Sequence, residues 1–421
     1  MSHFSLAGNS LPSGWEMVRA GYLFSRVKRT GFDAEQLLSV YRDYGVIPKS
    51  SRDDNFNNAS EDLSTYQLVE PNDLVINKMK AWQGSVGISG HRGIVSPAYF
   101  VARPTRAFSR RYVHYLLRCS DYLVEYQTRS AGIRVNQWDL DWDDFRRIPI
   151  TLPVPAEQER IANFLDDKTA RIDALIAEKE RLVERLAEYR QSIATTAVTQ
   201  GVPGTHTEFT EHPFLGLIPS VWRTGKFRHY VQVRSGQVDP EDGQYSSMTL
   251  IAPNHIESGS GRLISTETAS EQSAESGKYW CDAGDVIYSK IRPALRKATI
   301  APFDCLCSAD MYPLKGQLGL TNEFLFWYLL SEPFSDFAVQ ESVRVAMPKL
   351  NRETLATAVI PLPAPDEQCA IVSYIQKVVT ALDPVMEHAT AHIARLREYR
   401  SSLISAAVTG QLDIGSFKGA A

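Results

Sequence analysis

The sequence predicts an α+β protein: two mixed α/β heads joined by two long helical arms that pair as an antiparallel coiled coil, with approximate internal two-fold symmetry. Three observations carry this reading. A segment of about fifty residues occurs twice, 210 positions apart and without a gap. Leu152-Pro153-Val154-Pro155-Ala156-Glu157-Gln158 returns as Leu362-Pro363-Ala364-Pro365-Asp366-Glu367-Gln368, Tyr189-Arg190 as Tyr399-Arg400, and Ala197-Val198-Thr199 as Ala407-Val408-Thr409. Within each copy, apolar residues recur at alternating spacings of four and three, the signature of a coiled-coil helix. Before each copy, short β-like runs alternate with helical patterns.

In chain order the units are head one (1–150), arm one (151–200), head two (215–360) and arm two (361–412). Gly201-Val202-Pro203-Gly204 punctuates the end of arm one. In head one, Leu74-Val75-Ile76 reads as a strand and Tyr112 to Tyr126 as helix. In head two, Asp285-Val286-Ile287-Tyr288 and Asn322 to Val339 read alike. The repeat continues weakly into the heads. Leu11-Pro12-Ser13-Gly14-Trp15 resembles Ile218-Pro219-Ser220-Val221-Trp222, and Asn72-Asp73-Leu74-Val75-Ile76-Asn77-Lys78 resembles Gly284-Asp285-Val286-Ile287-Tyr288-Ser289-Lys290. The heads are therefore expected to share a fold and differ in their loops.

The arm seam is expected at Ile161, Leu165, Ile172, Leu175, Leu182, Leu186 and Tyr189 in arm one. Its counterpart in arm two is Ile371, Ile375, Leu382, Leu396, Tyr399 and Leu403. Asp383-Pro384 has the chemistry of an N-cap followed by proline at the first helical position. A joint is therefore expected near residues 172 and 382, with a short helix before it and a long one after. Arm one leads from head one to head two and arm two starts at head two, so pairing must be antiparallel. Heads at opposite ends of a rod follow as an expectation, the arm being at most about 66 Å long at 1.5 Å per residue.

The chain has 421 residues, more than one core usually supports, and a mean hydropathy of -0.23. No apolar run approaches the ~18 residues of a membrane span, and the N-terminus lacks a secretory layout. Five scattered cysteines fit reduced thiols better than a disulfide framework, so a cytoplasmic location without membrane association is expected. Net charge is -4; residues 1–150 carry 19 basic against 16 acidic side chains, residues 201–360 carry 14 against 18. That balance neither requires nor excludes nucleic acid.

The matched Leu-Pro-x-Pro-x-Glu-Gln, Tyr-Arg and Ala-Val-Thr elements resemble the DNA specificity subunit of type I restriction-modification systems, over essentially the whole chain. The resemblance implies two target-recognition domains alternating with two helical regions, and no catalysis by this subunit. It implies reading of a bipartite site in double-stranded DNA. Its implied partners are methyltransferase subunits, two of them, which methylate adenine, and a restriction (translocase) subunit where one exists.

Candidate DNA contacts in head one are Lys78, Lys80, Trp82 and Gln83, following a strand and closed by glycines. Lysine suits phosphate or guanine and glutamine pairs with adenine. The matching stretch in head two is Lys290, Arg292, Arg296 and Lys297. A second matched set is Arg134 and Asn136 with Arg344. A solvated basic loop explains any one of these equally well; the matched placement in both heads points to contact for the set.

His388 and His392 lie four apart, yet no acidic base lies between them and His392 falls on the expected seam, so interface packing is the better reading. Cys305-x-Cys307 lacks a partner pair at zinc spacing. No phosphate-binding loop, methyltransferase Asn-Pro-Pro-Tyr motif or nuclease carboxylate-lysine set is present, so no catalytic residue, cofactor or metal is expected. The alternatives are a specificity subunit of a related methylation system lacking the translocating nuclease, and a coiled-coil scaffold whose heads bind proteins.

Overall fold

The computed structural model describes residues 11–42, 44–52, 60, 62–134, 137–204, 208–213, 215–342 and 348–417. Two compact units divide the chain: Met1–Lys179 with Ala391–Ala421, and Glu180–Thr390. Each holds one head, a stretch of arm one and a stretch of arm two.

In head one an antiparallel sheet runs in the order Phe24–Val27, Tyr99–Pro104, Leu74–Asn77, Val86–Ile88. In head two the order is Val231–Val233, Met311–Gly316, Val286–Ser289, Ala298–Ile300, the same topology. Leu74, Val75 and Ile76, like Val286 and Ile287, are wholly buried, which is why these runs carry no polar alternation. The turn before each central strand explains the weaker repeat. Asn72 (φ 75°) and Gly284 (φ 87°) both take the left-handed conformation that asparagine and glycine tolerate. Asp73 accepts the Glu70 N–H (2.8 Å) and Asp285 the Asp282 N–H (3.0 Å). An arginine from elsewhere in the head closes each turn, Arg29 on Glu70 and Asp73, Arg234 on Asp282 and Asp285.

The second layers differ, beyond the difference in loops that the sequence led one to expect. Head one uses two hairpin-like pairs, Leu38–Tyr41 with Gly45–Pro48 and Gln67–Val69 with Gly93–Val95. Head two uses a four-stranded sheet ordered Gln237–Val238, Lys278–Cys281, Cys305–Cys307, Leu250–Ile251.

Arm one is one helix, Pro155–Gln200, and arm two another, Pro365–Val408. Each begins with proline, whose missing N–H is not needed in a first turn. The expected joints near 172 and 382 are not there. Pro384 sits inside arm two on its exposed face, and Thr380, whose carbonyl it leaves unpaired, is exposed too, so water can satisfy it. The most apolar 18-residue window of arm two has a mean hydropathy of 1.2, enough by composition for a membrane span. Ile371, Val372 and Ile375 instead join the core of head two.

The Leu-Pro-x-Pro-x-Glu-Gln element works mainly through its glutamine. Gln158 is buried; its Oε1 accepts the Ser109 N–H (2.8 Å) and its Nε2 donates to the Pro153 carbonyl (2.9 Å). Gln368 repeats this with Thr321 N–H (2.9 Å) and the Gly319 and Pro363 carbonyls (2.9 Å each). Ser109 and Thr321 cap the head helices Arg110–Leu116 and Asn322–Leu330. The glutamine therefore staples a head helix to the root of its arm.

The arms run antiparallel within each unit. In the first, Tyr112 donates to the Val408 carbonyl (2.9 Å) and the Thr151 carbonyl (3.1 Å), so arm two ends where arm one begins. Further along, Arg400 bonds Asp173 (2.8 Å). In the second unit, Arg190 faces Asp383 at 3.7 Å. Asp173 and Asp383, like Arg190 and Arg400, are 210 positions apart, so the same ion pair occurs once per unit with the arms exchanged.

The expected seam needs correction in one of its two rows. Ile161, Leu165, Ile172, Ile371, Ile375 and Leu403 are buried, and Leu186, Leu382 and Leu396 are partly buried. Leu175, Leu182, Tyr189 and Tyr399 are exposed, Tyr189 at 54%. The inward row is instead Thr169, Ile176, Val183, Arg190 and Ala197, with Met386, Ile393, Arg400 and Ala407 in arm two. A seam that admits Arg190 and Arg400 is disguised in an apolar count, because Tyr189 and Tyr399 beside them score higher. Asp173 and Asp383 are what make those arginines tolerable there.

Candidate nucleic-acid interface

In head one the strand Leu74–Asn77 delivers its chain into a tight 3₁₀ turn, Lys78–Gln83. Gly84 ends it at φ 97°, and a Cβ there would meet Leu123 at 2.9 Å, so glycine is required. Trp82 Nε1 donates to the Met79 carbonyl (3.1 Å) and its ring stands edge-on to Trp138 (5.0 Å). Met79, Lys80 and Gln83 point to solvent, while Lys78 lies 3.7 Å from Asp139. The Leu140 N–H donates to the Lys78 carbonyl (3.0 Å), which draws the strand pair Ala131–Arg134 and Gln137–Asp139 against the turn. The two candidate sets of head one thus belong to one loop cluster: Arg134 closes the first of these strands, and Asn136 lies outside the described residues.

Head two repeats the frame. The Leu350 N–H donates to the Lys290 carbonyl (2.8 Å), and Ile291 pairs with Lys349. Its side chains differ. Lys290 is buried; its ammonium donates to the Ala309 carbonyl and lies 5.2 Å from the Tyr312 ring centre. Burial, then the neighbouring charge of Lys349, hold its pKa below the ordinary lysine value. Lys297 donates to the Pro253 carbonyl (2.6 Å) and Arg296 to Ser335 (3.0 Å). These three brace the loop, with the Lys290 ammonium turned inward. Arg292 is exposed, held at φ 48° before the short turn Pro293–Leu295, and Lys349 beside it is exposed as well. Arg344 lies outside the described residues. At equivalent positions, then, head one presents Lys78 beside Asp139 with Lys80 exposed, and head two buries Lys290 and exposes Arg292 and Lys349.

Sequence reasoning missed the two arginine clamps, the glutamine staples and Lys349. Only the staples left a signal, the matched Glu-Gln pairs. It also missed a cleft of about 510 Å³ in head one, lined by Arg19, Arg26, Arg146 and Arg147.

Two like-folded heads, each with a differently furnished loop cluster on a common frame, and two helical arms define a duplicated two-headed protein. The type I restriction modification DNA specificity domain matches residues 12–185 and 241–390, and the chain belongs to that family. It is 31% identical over 285 residues to the type I restriction enzyme EcoDI specificity subunit of Escherichia coli, 64% of this chain and 63% of that protein. It is 23% identical over 429 residues to the MjaVIII specificity subunit of Methanocaldococcus jannaschii, 97% of this chain and 95% of that one. The fold is shared with a chain from a structure on assembly and conformational transition of a type I restriction-modification system. There the TM-score is 0.67 at 16% identity, covering 96% of this chain and 100% of that chain. Family membership makes this a DNA-specificity subunit of the restriction-modification type, whose part is recognition and not catalysis.

Proposed function

We propose that the chain reads a bipartite double-stranded DNA target, one half per head, and so directs adenine methylation, and restriction where a nuclease subunit exists, by partner subunits in the cytoplasm. The observation that carries this is the common frame with unlike contents. Lys78 with Asp139 in one head and the buried Lys290 with Lys349 in the other occupy equivalent places, as do Lys80 and Arg292. A shared scaffold with different donors and acceptors is what two different half-sites require. The loop clusters are proposed as the reading surfaces, and Arg134, Asn136 and Arg344 as further DNA contacts. The outward apolar row of the arms, Leu175, Leu182, Tyr189, Val385 and Tyr399, is proposed to dock the methylating subunits, because apolar side chains at heptad spacing on an exposed helix face fit partner helices. Electrophoretic shift of random duplex pools, with and without the methylating subunit, tests the reading. Enrichment of a two-part motif with a fixed gap is expected; no enrichment, with protein partners bound through the heads, would favour a scaffold instead.

A further inference from the structure

We infer that head one carries a second DNA contact, separate from its loop cluster: the four-arginine cleft grips the phosphodiester backbone of duplex DNA. The inference rests on the specificity-subunit reading and adds a site to it.

The cleft of about 510 Å³ lies between the strand Phe24–Val27 and the turn before Pro149–Leu152. Arg19, Arg26, Arg146 and Arg147 all line it and all are exposed, and no acidic residue is among its lining. Arg146 and Arg147 are partly balanced from behind by Asp143 (3.1 Å) and Asp144 (3.6 Å). Arg19 and Arg26 have no ion pair among the described residues. Arg26 lies over Phe100 (5.4 Å), against which Trp142 packs edge-on (6.0 Å), so its guanidinium has a preset place on an aromatic floor. Tyr22, at the rim, is 72% exposed. Like charges collected in one concavity repel one another unless an anion joins them. Arginine is also the side chain whose planar fork suits phosphate oxygens.

Head two shows that the fold does not need these arginines. The Gly21 N–H donates to the Arg146 carbonyl (2.9 Å) as the Arg228 N–H does to the Ala356 carbonyl (3.3 Å). Strand pairing likewise sets Arg19 opposite Pro149 as Lys226 is set opposite Val359, and Arg26 opposite Ala102 as Val233 is set opposite Leu314. On that common backbone Arg19, Arg26, Arg146 and Arg147 are replaced by Lys226, Val233, Ala356 and Thr357. Gly21 and Trp142, also in the lining, are replaced by Arg228 and Arg352, so head two keeps three basic side chains around this place, but none where Arg26, Arg146 and Arg147 cluster. A scaffold role would have recurred in both heads; a ligand role peculiar to head one would not.

The test uses the full chain in complex with its methylating subunits. Affinity for the target duplex and for a scrambled duplex is measured over a range of salt, for wild type, for Arg26→Gln with Arg147→Gln, and for the charge-keeping Arg26→Lys with Arg147→Lys. The glutamine pair is expected to weaken both duplexes by the same factor and to flatten the log–log salt slope by about 0.9 per phosphate released. The lysine pair restores the slope, and the methylated sequence stays the same. A wild-type slope in the glutamine pair overturns the inference. So does relaxed preference at one base position, which marks a base contact. A parallel titration with inorganic pyrophosphate separates the sources: tight pyrophosphate binding with no change in DNA slope assigns the cleft to a free phosphate compound and overturns the DNA contact. Failure of the wild type to prefer any duplex would instead defeat the specificity reading, and the scrambled-duplex slope would still decide the cleft.

Discussion

Replacing Gln368 by leucine removes one side chain and strands three backbone groups. Its amide takes the Thr321 N–H at 2.9 Å and supplies hydrogens to the Gly319 and Pro363 carbonyls at 2.9 Å, and the residue is 1% exposed. A buried polar group left unpaired costs about 1–3 kcal/mol, carbonyls being at the lower end because a second lone pair is available. The sum is about 3–5 kcal/mol for Gln368→Leu. The Thr321 amide has Gln368 as its bond, so native-state hydrogen exchange reads the loss directly. Each 1.4 kcal/mol is a factor of ten, and the Thr321 amide should exchange about a hundredfold or more faster. Gln368→Glu keeps the acceptor and removes the donor, so it should leave Thr321 protected while still weakening the fold. Wild-type exchange at Thr321 in a folded Gln368→Leu protein would refute the staple.

The corrected seam predicts that Ile176→Ala destabilises by about 2–5 kcal/mol, whereas Leu175→Ala, on the outward row, stays within about 0.5 kcal/mol; equal effects in urea unfolding would restore the original frame. His114 is held down to about 3 by burial, then by the charges of Arg118 and Arg110. The folded state therefore keeps the ring neutral while the unfolded chain, with a pKa near 6.5, takes up a proton. The stability it contributes is full above pH 6.5 and falls by about 1.4 kcal/mol per pH unit as pH drops toward 3; His114→Gln should flatten that part of the urea-midpoint profile. In the proposed DNA reading, Arg292→Ala should alter preference in one half-site by roughly 1–3 kcal/mol at one position. Lys290→Met, inside the head, should instead change stability with little change in the sequence preferred, as competition binding with half-site variants would report.

Helical arms, shared head topology and antiparallel pairing were legible because each depends on local periodicity, on the repeat or on chain order. The frame of the seam was not, since the choice between Tyr189 and Arg190 is made by Asp383, nearly two hundred residues away in sequence. Pro384 read as a break because proline chemistry is local, whereas the exposure of Thr380 that makes it tolerable is a property of the packed arms. The loop clusters were found as stretches of basic residues, but burial divided them: Ala309 and Tyr312 take Lys290 inward, and Pro253 takes Lys297. The arginine cleft was invisible because Arg19, Arg26 and Arg146 meet only through strand pairing.

The central claim is that this chain chooses the DNA sequence on which its partners act. Sequencing modified adenine across a chromosome, in otherwise identical cells that carry the methylating subunit with and without this chain, tests it most directly. The account predicts modification at a single two-part motif with a constant gap, lost when the chain is removed, and changed in one half only when the loop cluster of one head is altered. The same modified sites in both cells would contradict it.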